Sequence, residues 1–199
     1  MNPLVLQDDG GDILGVNTID INPAHQLFAF GLEGNGTVQF WDPRSRSSVG
    51  SLKLPRSRLL PVPGPILPGI NDTANLSVTA IASRTDGLSY AVGTSTGHIL
   101  LYDIRAARPF ALKDQGYGLP VKNVCWIDGG SRMAGDGMVL SADKKVIKIW
   151  DRNSVRDMLS FARTHFHLYI DLRSPLQISH LSHQLTISTM SIMSPGAAF

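Results

Sequence analysis

Three times in this chain an apolar-rich run closes on an aromatic residue and an aspartate. The runs are Thr37-Val38-Gln39-Phe40-Trp41-Asp42, His98-Ile99-Leu100-Leu101-Tyr102-Asp103 and Val146-Ile147-Lys148-Ile149-Trp150-Asp151. Each follows a second β-like run across a turn rich in Gly, Ser, Thr, Asn, Asp or Lys: Phe28-Ala29-Phe30-Gly31, Tyr90-Ala91-Val92-Gly93 and Met138-Val139-Leu140-Ser141. Two β runs joined by turn residues read as a hairpin, and three equivalent hairpins are an internal repeat. A further strand is expected upstream of each hairpin, at 16–21, 77–82 and 121–126. A fourth is expected downstream of the first two, at 48–52 and 109–113. A four-stranded sheet of this kind has two apolar faces and cannot bury both alone, so the sheets must stack on one another.

Spacing supports the repeat. Tyr102 to Trp150 is 48 residues, close to a period of about 40–45 residues for four-stranded blades. Trp41 to Tyr102 is 61, and the excess falls in residues 53–76, which hold five prolines. Proline has no N–H to give a β-ladder, so this segment is expected to be a surface loop. The expected organisation is a lead-in at 1–14, blades at 15–52, 77–113 and 121–151 within a region 15–154, and a different tail at 155–199. The fold class is all-β: a partial β-propeller of about three blades.

The stretch Val139-Leu140-Ser141-Ala142-Asp143-Lys144-Lys145-Val146-Ile147-Lys148-Ile149-Trp150-Asp151 resembles the WD40 repeat along nearly its whole length, with one extra residue in the turn. The Gly-His pair of many such repeats is absent from all three blades. The resemblance implies a hydrogen-bonded network at Ser141, Asp143 and Trp150, and structural roles for Trp41, Asp42, Tyr102, Asp103 and Asp151. Three further segments narrow it: Trp41-Asp42-Pro43-Arg44-Ser45-Arg46, Ala91-Val92-Gly93-Thr94-Ser95-Thr96-Gly97 with Leu101-Tyr102-Asp103-Ile104-Arg105, and Lys113-Asp114-Gln115-Gly116-Tyr117-Gly118. These are similar to the nucleolar protein 10 family over roughly 15–154. That resemblance implies a non-catalytic scaffold of the small-subunit processome, acting in pre-18S ribosomal RNA maturation in the nucleolus beside other processome proteins. The alternative is a WD40 adaptor for protein–protein interaction outside ribosome assembly. Family members carry blades before and after this region, so the resemblance implies a truncated form.

Composition sets limits on the rest. Hydrophobic residues make up 43% and charged residues 17%, with a net charge of only +2. That is globular, and any contact with nucleic acid must come from a local patch. The single cysteine, Cys125, cannot form an internal disulfide and is expected as a small buried hydrophobe. The first residues lack a basic, then apolar, signal sequence, and no run of about 18 apolar residues occurs, so no membrane is expected. Sequons at Asn35, Asn71 and Asn75 are therefore expected to be unused. The tail has no Lys or Glu, a single Gly at 196, and four of the six histidines. It is expected to be a non-homologous, poorly packed end, with Met158–Ala162 as a short helix.

Candidate sites are few. Gly93-Thr94-Ser95-Thr96-Gly97 matches the Gly-x-Ser-x-Gly pattern of hydrolases but lies between two β runs, without the strand-to-helix elbow that presents a nucleophile, so a turn is expected. His165, His167, His180 and His183 lack the further ligands of a closed zinc site. Neither an enzyme nor a cofactor, metal or small-molecule substrate is expected. Arg44, Arg46, Lys53, Arg56 and Arg58 form a basic run with no acid from 43 to 71. It reads either as a solvated loop or as a contact for pre-ribosomal RNA or an acidic partner. Tyr117, between two glycines, reads either as an inter-blade plug or as an exposed partner anchor.

Overall fold

The computed structural model of the chain describes residues 5–7, 11–60, 75–127 and 137–162. They form three four-stranded antiparallel sheets in chain order. The first contains β1 (Val16–Ile21), β2 (Phe28–Leu32), β3 (Thr37–Asp42) and β4 (Ser47–Lys53), followed by the short helix α1 (Arg56–Leu59). The second contains β5 (Val78–Ser83), β6 (Ser89–Thr94), β7 (His98–Asp103) and β8 (Ala111–Asp114). The third contains β9 (Asn123–Ile127), β10 (Met138–Ala142), β11 (Val146–Asp151) and β12 (Asp157–Ala162). In each sheet the strands lie side by side in sequence order. The first strands of successive sheets pack together, β1 on β5 and β5 on β9, which sets the sheets out as blades around a common axis.

Strand pairing makes Trp41, Tyr102 and Trp150 equivalent: their partners across the second strand are Phe28, Tyr90 and Val139. All three aromatics lie on the face turned toward the preceding blade. Tyr102 packs with Ala29, Val38 and Phe40 of blade 1 and is fully buried. Trp150 packs with Ala80, Ala91, Ile99 and Leu101 of blade 2 and is also fully buried. Trp41, at the leading face of the first blade, is half-buried with Phe28 against Leu6, Phe30 and Leu32. On that face Ile19 and Ile21 stand 61% and 57% exposed. The space between blades is therefore filled by a large leading ring against an apolar trailing face. The register also puts Gly31, Gly93 and Ala142 at one position. A side chain at Gly93 would begin 2.7 Å from Val121 Cγ1, and one at Gly31 would begin 2.6 Å from Val78 Cγ1. Both glycines serve close approach of the next blade.

Several expectations need correction. Residues 157–162 form not a helix but β12, which pairs with β11 and completes blade 3 inside the segment read as a foreign tail. Met-Leu-Ser-Phe-Ala has helix-compatible residues, yet an open β-ladder beside it overrides that weak preference. The rest of the tail, with its four histidines, lies outside the described residues. The proline-rich segment 53–76 is not all surface loop: Leu54, Leu59 and Leu76 are 5%, 3% and 0% exposed and anchor its two ends in the core between blades 1 and 2. Cys125 is half-buried rather than buried, and desolvation still pushes its thiol up to about 11.

A β-carbon at position 93 must displace Val121, so Gly93→Ala should lower unfolding stability by about 1–3 kcal/mol. Gly50 in β4 faces open space, with nothing within 4 Å of a β-carbon. Gly50→Ala should be neutral or slightly stabilising. Urea titrations of both variants against the parent check the pair; equal costs at the two sites would contradict this packing.

Candidate functional site

The antiparallel order gives the stacked blades two rims. Turns between second and third strands, and connections from each fourth strand to the next blade, lie on the upper rim. Turns between first and second, and between third and fourth, strands lie on the lower rim. The two rims are built from different chemistry.

On the lower rim the aspartate after each aromatic caps its own turn. Asp42 Oδ1 accepts from Arg44 N at 2.8 Å and Arg44 Nε at 3.1 Å. Asp103 Oδ1 accepts from Arg105 N and Nε, both at 2.9 Å. Asp151 Oδ1 accepts from Asn153 N at 2.8 Å and Ser154 N at 2.7 Å. The Arg105 side-chain hydrogen bond, then its backbone one, hold the Asp103 carboxyl down at about 2. Asp42 is lowered in the same way by Arg44, and Asp151 by the Ser154 and Asn153 amides. Two of these turns share more: Arg46 and Val155, each four residues after the aspartate, have φ of 53° and 58°. In both, the ladder also bulges at the tryptophan. Arg44 is thus tied to Asp42, and Arg84 is within 3.6 Å of Asp86.

Polar seams join the inner strands. Asn22 is fully buried; its Nδ2 donates to Gly87 O at 2.8 Å and reaches Tyr90 Oη at 2.6 Å. Asp20 Oδ2 accepts from Ser83 N at 2.7 Å, and Trp126 Nε1 donates to Ala82 O at 3.0 Å. Lys113 of β8 donates to Val155 O at 2.7 Å and pairs with Asp157 at 2.9 Å, clasping blade 3 from outside.

At the upper edge between blades 2 and 3 lies a buried network. Trp150 Nε1 donates to Ser141 Oγ at 3.0 Å, and Ser141 Oγ donates to Gln115 Oε1 at 2.9 Å. Gln115 Nε2 then donates to Ser141 O at 3.4 Å and Val146 O at 3.3 Å. Asp143 plays a different part: its Oδ1 accepts from Val146 N at 2.7 Å and from Lys145 N, capping the β10–β11 turn. Gln115, fully buried, was not singled out in the sequence. Its signal is positional, a polar residue followed by glycine in the connection that enters a blade.

The register explains why one seam is polar and the other is not. Ser141 is equivalent to Val92, and Gln115 to Leu54, whose amides bond to the turn glycines at 97 and 36. Between blades 1 and 2 the trio is Leu54, Val92 and Tyr102, all in one apolar cluster. Among the described residues Tyr102 Oη has no hydrogen-bond partner, and burial pushes its pKa up.

The structure splits the basic run. Arg44 and Arg46 sit on the lower rim, while Lys53, Arg56 and Arg58 sit on the upper, at the far end of β4. Residues 47–52 of β4 separate Arg46 from Lys53, about 20 Å. Tyr117 is 54% exposed on the upper rim, with Lys145 Nζ 5.3 Å from its ring centroid. It belongs to the surface rather than plugging the blades. Ser95 lies in the β6–β7 hairpin, where its Oγ accepts from Ser77 N at 3.0 Å.

Comparison with known proteins agrees with this architecture. The family model described as nucleolar protein 10-like, N-terminal domain, matches residues 1–187. The chain is 45% identical over 166 residues to a ribosome biogenesis protein enp2 homolog of Schizosaccharomyces pombe, covering 82% of this chain and 24% of the relative. It is 36% identical over 166 residues to nucleolar protein 10 of Homo sapiens, covering 83% and 21%. The chain therefore spans about a quarter or less of the length of these curated relatives. Among solved structures it is similar in fold to the RRP9 WD40 repeats, with a TM-score of 0.55 and 14% identity over 76% of this chain and 40% of that one. It is likewise similar to U3-55K, with a TM-score of 0.55 and 13% identity over 76% and 40%.

Removing Ser141 Oγ leaves two buried groups unpaired, so Ser141→Ala should cost about 1–3 kcal/mol of unfolding stability. Tyr102→Phe removes a hydroxyl that no described residue satisfies and should be neutral or stabilising. Chemical unfolding of both variants reads the contrast, and a large loss in Tyr102→Phe would contradict the apolar seam.

Proposed function

Because the chain belongs to the nucleolar protein 10-like family, whose N-terminal domain model spans residues 1–187, we propose that it is a non-catalytic scaffold in small-ribosomal-subunit biogenesis. It acts in pre-18S ribosomal RNA maturation, in the nucleolus, with other proteins of the small-subunit processome as its partners. The observation that carries this reading is the identity to proteins named for ribosome biogenesis, 45% and 38% in two yeasts, over three quarters or more of the chain.

The geometry supports the same kind of role. Polar side chains serve as caps and seams: Asp42, Asp103 and Asp151 close turns, and Ser141, Gln115 and Asn22 bind blade to blade. A rigid stack with two solvent-facing rims is well suited to holding several partners at fixed distances.

A tagged full chain, expressed in cells, should concentrate in the nucleolus and co-purify pre-18S RNA together with processome proteins. Diffuse distribution, with co-purification of unrelated partners and no pre-ribosomal RNA, would instead make the chain a general WD40 adaptor.

A further inference from the structure

Three cations of the basic run reach the upper rim, and the fold adds others there from distant sequence. Arg58 lines a hollow of about 590 Å³ together with Asn75, Ser95, Thr96, His98 and Gly118. Gly118 belongs to the connection that enters blade 3. Gly116 and Gly118 have φ of 95° and 61°, and Asp114 Oδ1 accepts from Gly116 N at 2.7 Å. This bend holds Tyr117 out in solvent. From the β10–β11 turn Lys145 lies over the Tyr117 ring, with Lys144 exposed beside it. Lys122 is exposed too, its backbone N bonded to Ala142 O at 2.8 Å.

Among the described residues of blades 2 and 3, the exposed carboxylate on this rim beside Arg58, Lys122, Lys144 and Lys145 is Asp114, whose Oδ1 is engaged by Gly116 N. Asp143, between them in sequence, is only 4% exposed and turned into the backbone of its own turn. On the lower rim Arg44, Arg84 and Arg105 each pair with an aspartate. The described upper rim of blades 2 and 3 therefore offers solvent Lys122, Lys144 and Lys145, with Arg58 nearby, against the single exposed carboxylate of Asp114, around the exposed ring of Tyr117.

We infer that this rim binds single-stranded RNA, with a base stacked on Tyr117 and phosphates held by Lys145, Lys144 and Arg58. Cations that neutralise phosphates release condensed counterions, which drives binding and makes it salt-dependent. An aromatic ring among cations stacks on any base, and a neighbouring ammonium adds a cation–π contribution. In a duplex the base faces are already stacked and cannot reach Tyr117, so single strands are selected. That the strand is pre-ribosomal rests on the proposed function; the binding chemistry does not.

Fluorescence anisotropy of the full chain tests this, with labelled oligouridylate of about 12 nucleotides and a duplex of the same length. The single strand should bind more tightly than the duplex. Tyr117→Ala should weaken single-strand binding about tenfold and leave duplex binding unchanged, while Tyr117→Phe should bind like the parent. Lys144→Ser with Lys145→Ser should flatten the slope of log affinity against log salt by about 1.4. Arg44→Ser with Arg46→Ser, on the other rim, should change neither. Unaltered thermal unfolding of Tyr117→Ala, whose side chain is exposed, keeps the comparison clean. Equal affinity for duplex, or no effect of Tyr117→Ala, overturns the inference. So does displacement of the RNA by polyglutamate at a concentration independent of Tyr117, which would mark a dock for an acidic protein. Because the assay uses purified chain, its failure leaves nucleolar association untouched, and loss of nucleolar association leaves this binding untouched.

Discussion

A large ring on the leading face of one blade pressed into the apolar trailing face of the blade before it is the contact on which the rest of this structure depends. Tyr102 meets Ala29, Val38 and Phe40, and Trp150 meets Ala80, Ala91 and Leu101; both rings are wholly buried. A ring of this size buries roughly 150–250 Å² of surface, so each makes a large apolar contribution to its seam. They require that the opposing strands approach closely, which is why Gly31 and Gly93 stand where a β-carbon would strike Val78 and Val121. A repeat of this kind stabilises itself only through its neighbours.

The two interfaces solve the polar side of the problem differently. Trp150 carries an N–H that must be satisfied, and Ser141 with Gln115 supplies the partners. One blade earlier the same three positions hold Tyr102, Val92 and Leu54, an apolar set that leaves the phenol without a partner among the described residues. The substitutions move together, so each seam is internally consistent. On the lower rim, aspartates are consumed in capping turns and pairing arginines. On the upper rim Asp143 and Thr94 are buried, Thr94 Oγ1 accepting from His98 N at 3.0 Å, while Lys144 and Lys145 of the β10–β11 turn are exposed.

The blades were legible in the sequence because hairpin alternation and the aromatic-Asp ending are local signals, repeated three times. Trp41, Tyr102 and Trp150 fall at equivalent positions, as pairing with Phe28, Tyr90 and Val139 shows. What escaped was non-local. Gln115 carries no motif of its own; its role appears only when Ser141, 26 residues away, is folded beside it. The five basic residues look like one patch in the sequence, yet β4 runs between Arg46 and Lys53 and sends them to opposite rims. Residues 158–162 suggested a helix because local preference ignores the unpaired edge of β11, which captures them as a strand. The equivalence of Gly31 and Gly93 with Ala142, rather than with Ser141, needs the pairing register, because four residues lie between Ala142 and Ile147 against five between Gly93 and Ile99.

Acrylamide quenching of tryptophan fluorescence tests the stacking most directly. Trp41 and Trp126 are half-buried, whereas Trp150 is fully enclosed between blades 2 and 3. A chain carrying Trp150 alone, with Trp41→Phe and Trp126→Phe, should emit at short wavelength and resist quenching until it is unfolded by denaturant. Quenching of Trp150 in the native chain as efficient as in the denatured chain would show that its ring is not covered by a neighbouring blade, and the stacked architecture would not stand.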